Sequence, residues 1–142
     1  MAEHKDVKQA SVNKGFGRIL IVVYGLFALA ATARAAVQIS TEFDLAPLAF
    51  TLSAIAAVIY IVATIALALG NRTSRVVATI AIGIELAGVL TVGVISLLLP
   101  SDFPKATVWS GFGSGYGFVP LVLPFVGLWW LRHTRNANQS AD

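Results

Sequence analysis

Two ionisable residues, Arg34 and Glu85, stand inside long apolar segments of the chain. The segment 76–99 has Glu85 as its one charged residue and extends about 36 Å as a helix, more than the ~30 Å hydrocarbon core of a bilayer. A carboxylate at such a depth costs at least ~2.5 kcal/mol unless it is neutralised, paired or hydrated. These residue types predict a proton or substrate pathway. The alternative is a buried pair that fixes helix register, or a contact with a partner subunit.

The spacing of the two residues sets how closely they approach. Arg34 lies 16 residues after Arg18, about 24 Å along a helix, and Glu85 lies ten residues after Arg75, about 15 Å. If both helices start at the same membrane face, the two depths differ by about 9 Å. Direct pairing through two long side chains, or through a water or hydroxyl between them, therefore stays open.

The intramembrane polar residues Arg34, Gln38, Tyr60 and Glu85 fall on helical stripes of aromatic, small and polar side chains. Residues three and four apart share one face of a helix, and small or hydroxyl residues let membrane helices approach closely. We therefore expect the stripes to face the protein interior. They comprise Tyr24, Phe27, Ala31, Arg34 and Gln38 in the first segment, Ser53, Ala56, Tyr60 and Thr64 in the second, and Ala78, Ala81, Glu85, Gly88, Val92 and Ser96 in the third.

The composition is typical of a membrane protein. Of 142 residues, 57% are hydrophobic and 12% are charged, and the mean hydropathy is +0.80. Soluble domains carry about 25% charged residues. The absence of Cys excludes disulfides and thiolate metal sites, and His4 and His133 lie outside the apolar segments, which excludes intramembrane haem ligation by histidine. We expect no cofactor, no metal and no catalytic residue.

The pattern predicts an all-α membrane four-helix bundle. Residues 1–18 form an N-terminal cytoplasmic tail, residues 19–131 the transmembrane domain with spans at about 19–39, 48–69, 76–99 and 112–131, and residues 132–142 a C-terminal cytoplasmic tail. Gly70 suits a helix C-cap, and Thr73 or Ser74 can cap the next helix. The first segment also resembles a cleavable signal peptide with small residues at 31–33. Cleavage there would leave only about ten residues before the next span, so we favour a retained span.

Basic residues indicate the orientation. The N-terminal tail with Arg18 carries four Lys or Arg, the turn at 70–75 two and the C-terminal tail two, whereas the two opposite loops carry only Lys105. Cytoplasmic loops are enriched in Lys and Arg. We therefore predict a multi-pass protein of the bacterial cytoplasmic membrane with both termini in the cytoplasm.

Glycines alternate with aromatic or small residues in the segment 109–118. The following segment 118–131 reaches only about 21 Å as a helix, too short to span alone. Glycines and the prolines at 120 and 124 disfavour a regular helix. We therefore predict that the last helix is broken or re-entrant at its outer end. The outer aromatic loop, made of Phe103, Trp109, Phe112 and Tyr116, is expected at the membrane interface.

Over its whole length, and especially in Phe103-Pro104, in Thr107-Val108-Trp109-Ser110 and in the run 120–130, the sequence resembles small integral membrane proteins of an actinobacterial type. The resemblance implies an inner-membrane protein with four helices and assigns no catalytic residue.

Three functions are compatible with this sequence. The first is a non-enzymatic accessory, assembly or interaction subunit of a membrane complex. The second is a small oligomeric transporter or channel that uses Glu85 as a proton-coupling carboxylate. The third is a binder of lipid at the outer leaflet. The expected partners are the lipid bilayer and either further copies of the chain or a larger membrane protein complex. No nucleic acid is expected.

Overall fold

The computed structural model describes residues 2–141 and the side chains of residues 13–135. Within residues 2–141 the chain is helical and contains no strand, which confirms the predicted all-α class. The long helices are α1 (Ala2–Glu42), α2 (Pro47–Leu69), α3 (Arg72–Leu98) and α4 (Val119–Ala141). Short 3-10 turns occupy Phe43–Leu45 and Pro100–Asp102, and a 3-10 segment, η3, covers Ser110–Tyr116.

Three of these helices are long and apolar enough to cross a membrane, or four if η3 and α4 are counted as one bent span. The apolar windows of α1, α2 and α3 are only 22%, 39% and 39% buried inside the protein. Most of their apolar surface therefore faces outward. Contact of this surface with water would be unfavourable, whereas contact with lipid hydrocarbon would not. The lengths and the outward apolar faces together indicate a multi-pass membrane protein.

Both terminal helices are longer than the expected spans. α1 begins at Ala2, so it includes the polar segment that the sequence assigns to a tail, and α4 continues to Ala141. The 41 residues of α1 correspond to about 60 Å of helix, roughly twice the hydrocarbon thickness. One part of α1 must therefore extend beyond the apolar layer.

The turn between α2 and α3 contains the predicted C-cap of α2, but the N-cap of α3 is a different residue from those predicted. Gly70 closes α2 with φ of 68° and donates its N–H to Ala66, as predicted for a glycine C-cap. The N-cap of α3 is Asn71 rather than Thr73 or Ser74, because α3 begins already at Arg72. The Asn71 side chain accepts the Ser74 N–H at 2.8 Å, which satisfies one of the free donors of the first turn.

The helices run up and down, so the molecule has two ends. The end that carries residues 43–46 and 99–118 is called the loop end, and the end that carries residues 70–71 is called the turn end. α1 packs on α2, α2 on α3 and α3 on α4, while α1 contacts α4 more sparsely. Within the described residues α1 and α3 have no close backbone approach, so only side chains join these two helices across the interior.

The entry into α4 is sharply bent at the loop end. η3 and the helix 119–135 meet at 97°, which confirms the predicted break at the start of the last helix. Gly111, Phe112 and Gly113 are consecutive left-handed residues with φ of 57°, 60° and 82°. A methyl group on Gly113 would lie 2.9 Å from the Pro120 ring, so this turn needs a glycine both for its conformation and for its space.

Candidate functional site

Glu85 lies at the centre of the protein and is 0% exposed. Its Oε1 accepts a hydrogen bond of 2.6 Å from the Tyr24 hydroxyl of α1, and the Tyr60 ring of α2 lies 6.1 Å from the Tyr24 ring. Its Oε2 is buried and accepts no hydrogen bond from the residues that the structure describes. The carboxyl group thus joins α3 to α1, and it retains one free acceptor.

Trp109 closes this site from the loop end. Its Nε1 donates to the Tyr60 hydroxyl at 3.1 Å, and its side chain is 3% exposed. The ring lies against Gly88 of α3, where a methyl group would come within 2.5 Å of it. Trp109 is therefore buried inside the protein, where Gly88 leaves room for the indole.

Aromatic rings fill the space between Glu85 and Arg34. Their centroids lie 6.1 Å apart for Tyr24 and Tyr60, 5.7 Å for Phe27 and Tyr60, 5.8 Å for Phe27 and Tyr116, and 6.4 Å for Tyr60 and Trp109. These separations are typical of favourable ring packing. We call the five residues the aromatic cluster.

Arg34 does not pair with Glu85. Its Nη1 donates to the Tyr116 hydroxyl at 2.9 Å, and its guanidinium lies 5.9 Å from the centre of that ring. Arg34 follows Tyr24, which holds Glu85, by ten residues, or about 15 Å of helix, too far for a direct contact. Among residues 13–135 no acidic side chain forms an ion pair with Arg34.

The remaining predicted polar residue and outer aromatic residues also face inward. Gln38 is 5% exposed, and its Oε1 lacks a hydrogen-bond donor among the described side chains and backbone. Phe112 packs against Gly93 of α3 so closely that any Cβ there would collide with its ring. Phe103 is half-buried and packs against the interior residues of the loop end. The side chains of the predicted outer aromatic loop thus pack against the interior of the protein.

The predicted helical stripes are confirmed by burial. On α3 the stripe through Glu85 is buried or half-buried, whereas Ile80, Ile84, Val94 and Leu98 on the opposite face are 47% to 73% exposed. The stripes of α1 and α2 are likewise buried or half-buried. Spacing alone therefore identified the interior face of each helix.

Further polar contacts hold the loop in place. The Gly111 N–H donates to the Ser96 hydroxyl of α3 at 2.8 Å. At the surface, Lys105 forms an ion pair of 2.7 Å with Glu42 at the end of α1. Thr107 and Ser110 exchange side-chain to backbone hydrogen bonds of 2.7 Å and 3.0 Å beside Trp109. These contacts keep the indole in its position next to Tyr60.

A second cluster lies at the turn end and was not predicted as a unit. Arg75 donates to the Leu131 carbonyl at 2.9 Å and to the Thr134 hydroxyl, and its guanidinium lies 5.4 Å from the Trp130 ring. The Trp130 Nε1 donates to the Asn13 carbonyl at 3.2 Å. Arg75 thus satisfies acceptors inside α4, and Trp130 connects α4 to α1.

The chemistry available at the interior site is that of a single carboxyl group. Within the described part of the chain, no group of three or more His, Asp or Glu side chains is placed to hold a metal ion. Glu85 can accept or release a proton; its Oε1 accepts from the Tyr24 hydroxyl, and the neighbouring Tyr60 hydroxyl accepts from the Trp109 indole N–H. Such a site can bind a proton or a cation in an apolar surrounding.

Comparison of this chain with protein-family models, with curated proteins and with solved structures finds no match. Its role must therefore be inferred from its own geometry. The two features that bear on that role are the enclosed carboxyl group of Glu85 and the guanidinium of Arg34, which lies beside a neutral hydroxyl.

Proposed function

We propose that this chain is a four-helix protein of the bacterial cytoplasmic membrane that acts as a small oligomeric transporter or channel, with Glu85 as a proton-coupling carboxylate. The observation that carries this proposal is the position of Glu85, which is 0% exposed and has one carboxylate oxygen without a hydrogen-bond donor among the described residues. Intramembrane carboxyl groups that face a protein interior mark proton or ion pathways.

The enclosure of Glu85 argues against a contact with a partner subunit. Tyr24, Tyr60 and Glu85 are each 0% exposed, so none of them lies on an outer surface of a single copy. The titratable groups that face the carboxyl group are the two tyrosines, one from α1 and one from α2. The aromatic cluster separates it from Arg34, so no described cation fixes its charge. A carboxyl group in this environment can change its protonation state without breaking an ion pair.

The distribution of basic residues supports the proposed orientation. Arg72 and Arg75 lie at the turn end, together with Arg18 of α1 and Arg132 of α4, whereas Lys105 lies at the loop end. Cytoplasmic ends of membrane helices carry the excess of Lys and Arg. The turn end would therefore be cytoplasmic, and the chain termini would lie on the same side.

A proton-flux assay tests the transport proposal. Purified protein is reconstituted into liposomes that contain a pH-sensitive dye, and the decay of an imposed pH gradient is followed for the wild type, Glu85→Gln and Asp44→Asn. Asp44 is an exposed acid near the loop end, so its amide variant is a matched control. We expect the wild type and Asp44→Asn to dissipate the gradient faster than empty liposomes, and Glu85→Gln to match empty liposomes. Equal proton flux in all three proteins would contradict the proposal.

A second candidate is a non-enzymatic accessory, assembly or interaction subunit of a larger membrane complex. The observation that favours it is Arg34, which is half-buried and donates to a neutral hydroxyl, although a guanidinium has five N–H donors. A carboxylate from a second protein would find unused donors there. Cross-linking in native membranes tests this role. We expect Arg34→Gln, but not the exposed control Arg72→Gln, to abolish a discrete cross-linked species. A wild-type chain that remains monomeric throughout would contradict it.

The third function expected from the sequence, a lipid-binding outer loop, is not favoured by the geometry. Trp109 is 3% exposed and packs against Gly88, and Phe112 packs against Gly93. The residues that would contact lipid thus pack against α3 instead.

A further inference from the structure

We propose that Glu85 and part of the aromatic cluster form a binding site for a monovalent organic cation about the size of an indole ring, and that the Trp109 side chain fills this site when no ligand is bound. This substrate class rests on the transport function proposed above. The site is built from Glu85, Tyr24, Tyr60 and Phe27, with Trp109 as the removable side chain.

The charge of the ligand follows from the groups that line the site. Glu85 offers a buried Oε2 that accepts no hydrogen bond from any described residue. Tyr24, Phe27 and Tyr60 add ring faces, which attract cations through their quadrupoles and do so more strongly where water is excluded. An anion would meet the same carboxyl group with no cationic side chain beside it, because Arg18, which is exposed, and Arg34 lie about 9 Å and about 15 Å along α1 from Tyr24.

The same lining disfavours a divalent metal ion. Ca²⁺ binds six to eight oxygen ligands in proteins, and Mg²⁺ requires six in octahedral geometry, as a general rule. Around Glu85 the described oxygen atoms are one carboxyl group and two hydroxyls, and the other neighbours are rings and aliphatic groups. A quaternary ammonium ion has no N–H donors, is weakly hydrated and needs few oxygen ligands, so it fits one carboxylate and several ring faces.

The size of the ligand follows from Trp109. It lies immediately before η3 and outside any long helix, whereas the other residues of the site belong to α1, α2 and α3. Its polar contact with them is one hydrogen bond to Tyr60, and its ring fills the space left by Gly88. Withdrawal of this side chain would open a space of indole size next to Tyr60 and Glu85.

The segment that follows Trp109 is suited to such a movement. Phe112 is held with φ of 60° between two glycines that are also left-handed. A bulky residue in this region of φ/ψ space is strained, and the surrounding packing must maintain its conformation. A rearrangement of residues 109–113 would release this strain, which lies at Phe112, three residues after Trp109, whereas Trp109 itself has an ordinary φ of −109°.

Equilibrium dialysis of the full chain in detergent micelles tests the site. The probe is radiolabelled phenyltrimethylammonium, and empty micelles are subtracted. We expect saturable binding by the wild type, binding about tenfold or more weaker by Glu85→Gln, and unchanged binding by Asp44→Asn. The neutral isostere tert-butylbenzene, which has the same shape without the charge, should not displace the probe. Equal binding by Glu85→Gln, or displacement by the neutral isostere, would overturn the proposal.

A second variant keeps the test decisive if Glu85→Gln fails to fold. Lys105→Ala removes the exposed ion pair with Glu42 that holds the loop, without touching the site. If the indole must leave before the cation enters, a looser loop increases the fraction of open protein, so the probe should bind several-fold more tightly. Weaker or equal binding by Lys105→Ala would contradict the role of the loop.

The two proposals can fail separately. Probe binding without proton flux would contradict the transport function alone, whereas proton flux through Glu85 without probe binding would contradict the cation site alone.

Discussion

The Tyr24 hydroxyl donates a hydrogen bond of 2.6 Å to Glu85, and this contact joins α1 to α3 across the interior, where their backbones do not meet. Both residues are 0% exposed. A hydrogen bond to a carboxylate in an apolar surrounding is stronger than one between neutral groups. The contact therefore contributes both to stability and to the spacing of two opposite helices.

Replacement of Tyr24 by Phe should destabilise the fold. The ring and its packing stay, but Glu85 loses a donor, and an unsatisfied buried group costs about 1–3 kcal/mol. Reversible unfolding in mixed micelles measures the change in free energy. Tyr116→Phe serves as the matched control, since its hydroxyl accepts a part-buried hydrogen bond from Arg34 and should matter less. A larger effect at Tyr116 than at Tyr24 would show that the Glu85 contact is not the dominant one.

Two glycines of α3 should respond oppositely to the same substitution. A methyl group on Gly88 would come within 2.5 Å of Trp109, whereas Gly83 has no atom within 4 Å of a Cβ position. Gly88→Ala should cost about 1–3 kcal/mol through overpacking, and Gly83→Ala should be neutral or stabilising by up to about 1 kcal/mol. Unfolding free energies check both, and the emission of Trp109 should change only in Gly88→Ala. Equal unfolding free energies and equal Trp emission for the two variants would mean that the Trp109 indole does not occupy the space beside Gly88.

Arg75 should be important for the attachment of α4. Its guanidinium donates to the Leu131 carbonyl and the Thr134 hydroxyl and lies over the Trp130 ring. Arg75→Ala removes these contacts and should destabilise the protein by about 1–3 kcal/mol. Limited proteolysis after residue 118 would detect the loosened helix. Arg72→Ala, an exposed neighbour at the same turn, should change the unfolding free energy by less than about 0.5 kcal/mol.

Labelling of single cysteines should decide the orientation. The chain has no Cys, so Thr73→Cys at the turn end and Ser101→Cys at the loop end each introduce one exposed thiol. A membrane-impermeant maleimide added to intact spheroplasts should react with Cys at 101 and should reach position 73 only after permeabilisation. The reverse pattern would place the turn end outside and invalidate the proposed topology.

The sequence predicts the helical faces well, because the interior stripe depends only on spacing within one helix. Glu85, Gly88 and Ser96 lie on the inner face of α3, as the three- and four-residue spacing indicates. The bent entry into α4 was also predictable, since the glycines and prolines of 111–124 cannot form one regular helix.

Partners between elements were not predictable in the same way. The spacing in the sequence is compatible with a contact between Arg34 and Glu85, but each of them contacts a tyrosine instead, Tyr24 of α1 for Glu85 and Tyr116 of the loop for Arg34. Trp109 was expected at the interface because Trp is common there, yet the space above Gly88 places it inside. Such contacts depend on how helices and loop are placed relative to one another, which spacing along one chain segment does not specify.

The loop between α3 and α4 is fixed at points before and after its indole. Lys105 binds Glu42 four residues before Trp109, and Gly111 binds Ser96 two residues after it. Insertion or deletion of a single residue between these two anchors would shift the ring out of register with the notch in α3. The length of the stretch 105–111 is therefore constrained in addition to its residue types, and functional variants of this protein should keep the number of residues between the two anchors.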